Sequence, residues 1–207
     1  MKKGITKKGI PGDMAAACMW VLLMAPALAA TPAHDVRAGR YRVEPGHTQI
    51  TFSLMHMGFT PYSGMFSGIS GTLQLDPAHP SASRLDVSVP VSSLYTPSDR
   101  LTGELKAADW FDAARYPDAT FASTSVVADG ADNATITGNL TLHGVTRPVV
   151  LHAHYVGAGV NPMDKAYTVG FAATATIRRS DFGIKAYVPM VGDDVTLNIA
   201  GAFERQD

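Results

Sequence analysis

From about residue 40 onward, apolar and polar positions alternate in short runs. Ile50, Phe52 and Leu54 alternate with Thr51 and Ser53, the period of a strand with one buried face. Thr72-Leu73-Gln74-Leu75 stops at the turn Asp76-Pro77, and Leu85, Val87 and Val89 alternate with Asp86 and Ser88 up to Pro90. Longer runs follow at 119–127, 135–142, 149–156, 167–177 and 195–203. Turn signals separate them at Asp129-Gly130, at His143-Gly144, across 157–162 and at Gly192-Asp193. Short strands at this spacing predict an all-β sandwich or barrel.

One stretch has a different period. Leu101, Leu105, Ala108 and Phe111 recur at helical spacing between Ser98 and Arg115. Ser98 or Asp99 caps the start and Tyr116-Pro117 ends the run. An all-β chain with one amphipathic helix has a natural place for it at a barrel mouth. Gly64, Gly68 and Gly71 admit two readings: bends that curve a sheet toward closure, or an ordinary loop over residues 58–70.

Composition changes the picture at the N-terminus. Lys2, Lys3, Lys7 and Lys8 precede an apolar run from Met14 to Leu28, and Ala27-Leu28-Ala29 follows as an Ala-x-Ala site. This is the layout of a secretory signal peptide over residues 1–29, cut near Ala29-Ala30, and it predicts a periplasmic or secreted protein. Residues 30–38 read as a loose polar segment, and 39–207 as the β domain. Removing 1–29 takes away four lysines and one aspartate, leaving 13 basic against 17 acidic residues and a net charge of −4. Its one cysteine, Cys18, goes too, so the mature domain must be stable by packing without disulfides. No block of like charge lies beyond the N-terminus, which argues against a nucleic-acid partner.

Catalytic signatures are missing: there is no Gly-x-Ser-x-Gly, no phosphate-binding Gly-x-x-x-x-Gly-Lys, no His-Glu-x-x-His and no Ser-x-x-Lys. His152 and His154 share one face of a strand, which suits either a metal or solvent. No third ligand has motif spacing, so neither a catalytic nor a metal site is expected. The aromatic residues Phe52, Phe66, Trp110, Phe111, Phe121, Phe171, Phe182 and Tyr187 suit a filled core or the walls of an apolar cavity. By their pattern alone the filled core is the commoner case.

Four stretches, in order, resemble the YceI-like family of exported polyisoprenoid-binding proteins. They are His47-Thr48-Gln49-Ile50-Thr51-Phe52 with His56-Met57-Gly58-Phe59; Leu105-Lys106-Ala107-Ala108-Asp109-Trp110-Phe111-Asp112 with Tyr116-Pro117-Asp118-Ala119-Thr120-Phe121; 138–149; and Asp181-Phe182-Gly183-Ile184. The resemblance spans Tyr41 to Phe203. It implies an elongated antiparallel lipocalin-like barrel of about eight strands, one helix near the mouth, and a long isoprenoid held inside. The wall would comprise Ile50, Phe52, Leu54, Phe66, Leu105, Trp110, Phe111, Phe121, Phe171, Phe182 and Tyr187. His47, His56 and Arg100 are candidates for a polar mouth. The family's helix carries Arg-Asp where this chain has Leu101-Thr102, and Asp99-Arg100 lies two residues earlier, so the tail inference carries over and the head-group inference does not. The resemblance further implies a lipid carrier or store, with no cofactor beyond a co-purifying isoprenoid lipid or quinone, and a membrane cytochrome of the b561 type as partner. The alternative is an enzyme or redox accessory acting on a bound quinone or lipid, with His47 or His56 carrying protons.

Overall fold

A computed structural model describes residues 31–206; the expected signal peptide lies outside them. The strands are β1 (Gly39–Val43), β2 (Gln49–His56), β3 (Thr60–Phe66), β4 (Ser70–Leu75), β5 (Arg84–Pro90), β6 (Asp118–Asp129), β7 (Asn133–Leu142), β8 (Val145–Val160), β9 (Tyr167–Arg178) and β10 (Asp194–Gln206), with one α-helix, α1 (Asp99–Lys106). Neighbours run in the order β1-β4-β5-β6-β7-β8-β9-β10, and β10 pairs back onto β1. Eight antiparallel strands therefore close a barrel, and the β2–β3 hairpin is added to it.

The hairpin fits because β10 changes partner along its length. Residues 196–200 pair with β2, and residues 203–206 pair with β1. At the changeover the Thr48 hydroxyl accepts from the Ala202 amide at 3.0 Å and donates to the Ala202 carbonyl at 3.2 Å. The Ala202 carbonyl also accepts from the Glu44 amide at 2.9 Å, so it is the Ala202 amide, left without a strand partner at the switch, that Thr48 satisfies.

All eight expected strands are present. Gly39–Val43 and Thr60–Phe66 are additional, so residues 58–70 are mostly strand, not loop. Gly64 lies in that strand because the tip of the Phe52 ring and the Tyr95 carbonyl crowd it: a Cβ there would stand 2.5 Å from the ring and 2.8 Å from the carbonyl oxygen. The glycine makes room for an aromatic side chain instead of bending the sheet.

The helix is shorter than its spacing predicts. Ser98 caps it, accepting from the Leu101 amide at 3.3 Å, and Asp99 and Lys106 lie at the ends that suit their charges. It stops at Ala107, which is extended, and Trp110 and Phe111 lie in turns, with the Phe111 amide bonded to the Leu105 carbonyl at 3.0 Å. The periodicity persists to Phe111 because the turns return the same face to the barrel interior.

Residues 31–38 make specific contacts with the barrel. The Tyr155 hydroxyl donates to the Thr31 carbonyl, the Thr31 hydroxyl donates to the Ala158 carbonyl at 2.9 Å, and Val36 is buried. This segment packs across the barrel end remote from α1.

Candidate functional site

Strand alternation sends one face of every barrel strand inward. On β8, Val149, Leu151, Ala153 and Tyr155 are buried while Val150, His152, His154 and Val156 are exposed. His152 and His154 thus face outward, and His154 Nδ1 pairs with Asn133 Oδ1 at 2.9 Å. Among the described residues no cluster of three potential metal ligands is gathered.

The interior does not fill completely. A cavity of about 630 Å³ opens at the α1 end. Of the expected wall residues, Ile50, Phe52, Leu54, Phe66, Leu105, Trp110, Phe111 and Tyr187 line it. They come from β2, β3, α1, the turn after α1 and the loop before β10, a set distant in sequence that barrel closure brings together. Phe52, Phe66 and Phe111 form a run of ring contacts, 5.7 Å and then 5.6 Å between centroids.

Three expected wall residues lie elsewhere. Phe171 lines a second cavity of about 360 Å³ at the opposite end, beneath residues 31–38. Phe182 is buried in the core without lining either interior cavity, and its carbonyl accepts from His143 Nδ1 at 3.1 Å. Phe121 stands between the two cavities. Its ring lies over Gly138, and on the same face of β7 Leu140 lines the first cavity and Ile136 the second.

The expected polar mouth divides. His56 and Arg100 line the first cavity, and Arg100 pairs with Glu104 at 3.5 Å across one helical turn. His47 does not reach it. It lies in the turn between β1 and β2, where its ring and backbone bond to the Glu44 carboxylate. The His47 side chain there is largely exposed to solvent.

Two polar residues escaped the sequence reading. Tyr62 lines the first cavity as the register partner of Leu54, and its buried hydroxyl has no hydrogen-bond partner. No alternation marks β3, so nothing in the sequence assigned it a face. Arg179 also lines the cavity, 4% exposed, with its guanidinium 5.3 Å from the Trp110 ring centroid. It donates to the carbonyls of Gly192, Ile184 and Val191 at 2.8, 3.0 and 2.7 Å. Burial lowers its pKa from the ordinary arginine value, and the three carbonyls compensate the charge that burial penalises. The signal available was the Arg178-Arg179 pair at the end of a strand, where alternation sends one of the two inward.

A closed antiparallel barrel with an apolar cavity opening at one end defines a lipocalin-like binding barrel. A model of the YceI-like domain matches residues 41–203, and the chain belongs to that family. A UPF0312 protein of Pseudomonas savastanoi is 37% identical over 161 residues, 78% of this chain and 82% of that protein. The YCEI protein of Campylobacter jejuni superposes with a TM-score of 0.65 at 29% identity, covering 74% of this chain and 90% of that one. A polyisoprenoid binding domain from Saccharophagus degradans, implicated in plant cell wall breakdown, shares the fold with a TM-score of 0.63 at 14% identity, covering 82% and 100% of the two chains.

Proposed function

We propose that this protein binds a long isoprenoid lipid, of polyprenyl or quinone type, inside the barrel and carries or stores it. The observation that carries the reading is the 630 Å³ cavity with its largely aliphatic and aromatic wall. That volume lies within the range of small-molecule sites, roughly 300–1,000 Å³. Each buried CH₂ contributes about 0.8 kcal/mol, so an apolar tail needs few polar contacts. The polyisoprenoid-binding domain of the same fold supports the same ligand class. Tyr62 Oη, buried in the cavity wall without a hydrogen-bond partner, is a candidate donor for an oxygen on the lipid's polar end. The basic start, apolar run and Ala-x-Ala site of residues 1–29 support export to the periplasm. The family resemblance makes a membrane cytochrome of the b561 type a candidate partner. A binding role, not catalysis, fits a cavity wall that is mostly apolar.

The test is mass spectrometry of lipid extracted from the protein purified from its native host, alongside Leu54→Trp. The added indole enters cavity space, so the expected result is lost lipid and unchanged stability of the delipidated form. In a filled core the same change would overpack and cost about 1–3 kcal/mol. A destabilised variant of a wild type that never carries lipid refutes the proposal.

A further inference from the structure

The rim of the first cavity is unusual for a surface facing water. From Met55 to Pro61 every residue is exposed, and Phe59 at the β2–β3 hairpin tip is 83% exposed. Beside it, Tyr187, Val188 and Met190 are exposed in the loop before β10. The two segments are locked together. The Met57 amide donates to the Met190 carbonyl at 2.7 Å, the Gly192 amide donates to the Met55 carbonyl at 2.8 Å, and His56 forms a bridge with Val191. Arg179 holds the second segment from beneath through the carbonyls of Ile184, Val191 and Gly192. The exposed apolar side chains therefore stand on one preorganised edge.

From this edge we infer a docking surface for a phospholipid bilayer. Three observations favour a bilayer over a protein partner or a second copy. The first is charge. Between Glu44 and Asp76 the chain has no Asp, Glu, Lys or Arg, although 17% of its residues are charged, and residues 186–192 have none either. A surface entering the acyl region must exclude charge, whereas protein interfaces carry a polar rim rich in hydrogen bonds. The second is the flank. Lys185 is exposed immediately before the apolar loop and Arg100 is exposed on α1, both suited to lipid phosphates. Glu104 and Asp99 accompany them on the helix, so apolar insertion and not net charge drives the docking. The third is continuity. Met57 and Tyr187 belong both to the exposed rim and to the cavity wall, so the apolar surface runs unbroken from edge to interior. Tyr187, with an apolar ring and polar tip, suits the headgroup level. This inference rests on the lipid-binding reading above, because a docked mouth lets an isoprenoid pass between bilayer and cavity without crossing water.

The test is flotation of the soluble form isolated from the native host with vesicles of phosphatidylethanolamine and phosphatidylcholine. Wild type is compared with Phe59→Asp/Met190→Asp, a pair at exposed positions outside the cavity wall. Wild type should float with vesicles at low and high salt alike, since apolar insertion is not screened. The double variant should lose roughly tenfold or more of its partitioning, while its unfolding midpoint and extracted lipid match wild type. Wild type left behind by vesicles, or a variant that floats equally well, overturns the inference. So does a concentration-dependent dimer that the double variant abolishes, which would assign the edge to a second copy. A wild type that carries lipid yet ignores vesicles refutes docking and leaves carriage standing. One that floats but carries no lipid does the reverse.

Discussion

At the scale of single residues, the cavity owes its shape to pairs in which an aromatic ring needs a neighbour without a side chain. Phe52 on Gly64 and Phe121 on Gly138 are two such pairs, with a Cβ at either glycine approaching the ring within 2.5 Å. Tyr62 shows the opposite economy, a polar atom left unsatisfied inside an apolar wall. Burying a hydroxyl without a partner costs about 1–3 kcal/mol in proteins. Tyr62→Phe is therefore expected to keep or raise the stability of the delipidated protein, by up to about 1 kcal/mol, in denaturant unfolding. The same variant should bind oxygen-bearing isoprenoids more weakly and leave the corresponding hydrocarbon unaffected. Equal weakening of both in a competition assay would remove Tyr62 from head-group recognition.

At the scale of elements, the helix is the component added to the sheet. It has only eight residues, too short to persist alone, and buries Leu105 against the barrel while Leu101 also meets the cavity. Its cap thus matters more than it would in a long helix. Ser98→Ala should lower stability by about 1 kcal/mol. It should also speed hydrogen exchange at the Leu101 amide, which loses its acceptor. Unchanged exchange there would show that packing of Leu105, not the cap, holds the mouth. The strongly resembling segment 138–149 is the β7–β8 hairpin, with positive φ at His143 and Gly144, and it supplies Leu140 and Leu142 to the first cavity's wall. There His143 bonds to the Phe182 carbonyl and meets the Tyr116 ring edge-on, 4.9 Å between centroids.

At the scale of the molecule, closure concentrates on β1, whose short span joins β4 to β10. Tyr41, at its centre, is fully buried, and its hydroxyl donates to the Arg37 carbonyl. Burial first, then the nearby Tyr167, pushes its pKa from 10.0 up to about 12. The folded state thus holds the proton more tightly than the unfolded chain. The associated stability is fully present below about pH 10 and is lost as pH rises toward 12, a loss of about 2–3 kcal/mol. Denaturant unfolding between about pH 8 and pH 11 should show roughly the first half of this fall, about 1.4 kcal/mol. Tyr41→Phe should start about 1 kcal/mol less stable at neutral pH, having lost a hydrogen bond, yet decline less steeply. Parallel declines in both proteins would place the alkaline sensitivity elsewhere.

The sequence by itself determined the strand segments with clean alternation and the start of the helix, which depend on periods of two or 3.6 residues that the backbone imposes locally. Eight of the eleven wall residues expected from the family resemblance line the first cavity. The sequence reading passed over β1, although Arg40-Tyr41-Arg42-Val43 alternates, and it missed β3, where glycine and proline erase the period. It extended the helix into turns that preserve the same inward face. Tertiary structure alone decided that the interior divides at Phe121, that His47 lies outside, and that Tyr62 and Arg179 face the cavity. It also brought the hairpin tip at Phe59 beside Met190. Those outcomes depend on which strand β10 pairs with along its length and on how rings and glycines meet across the barrel. Such contacts join residues far apart in the chain, and no local period encodes them.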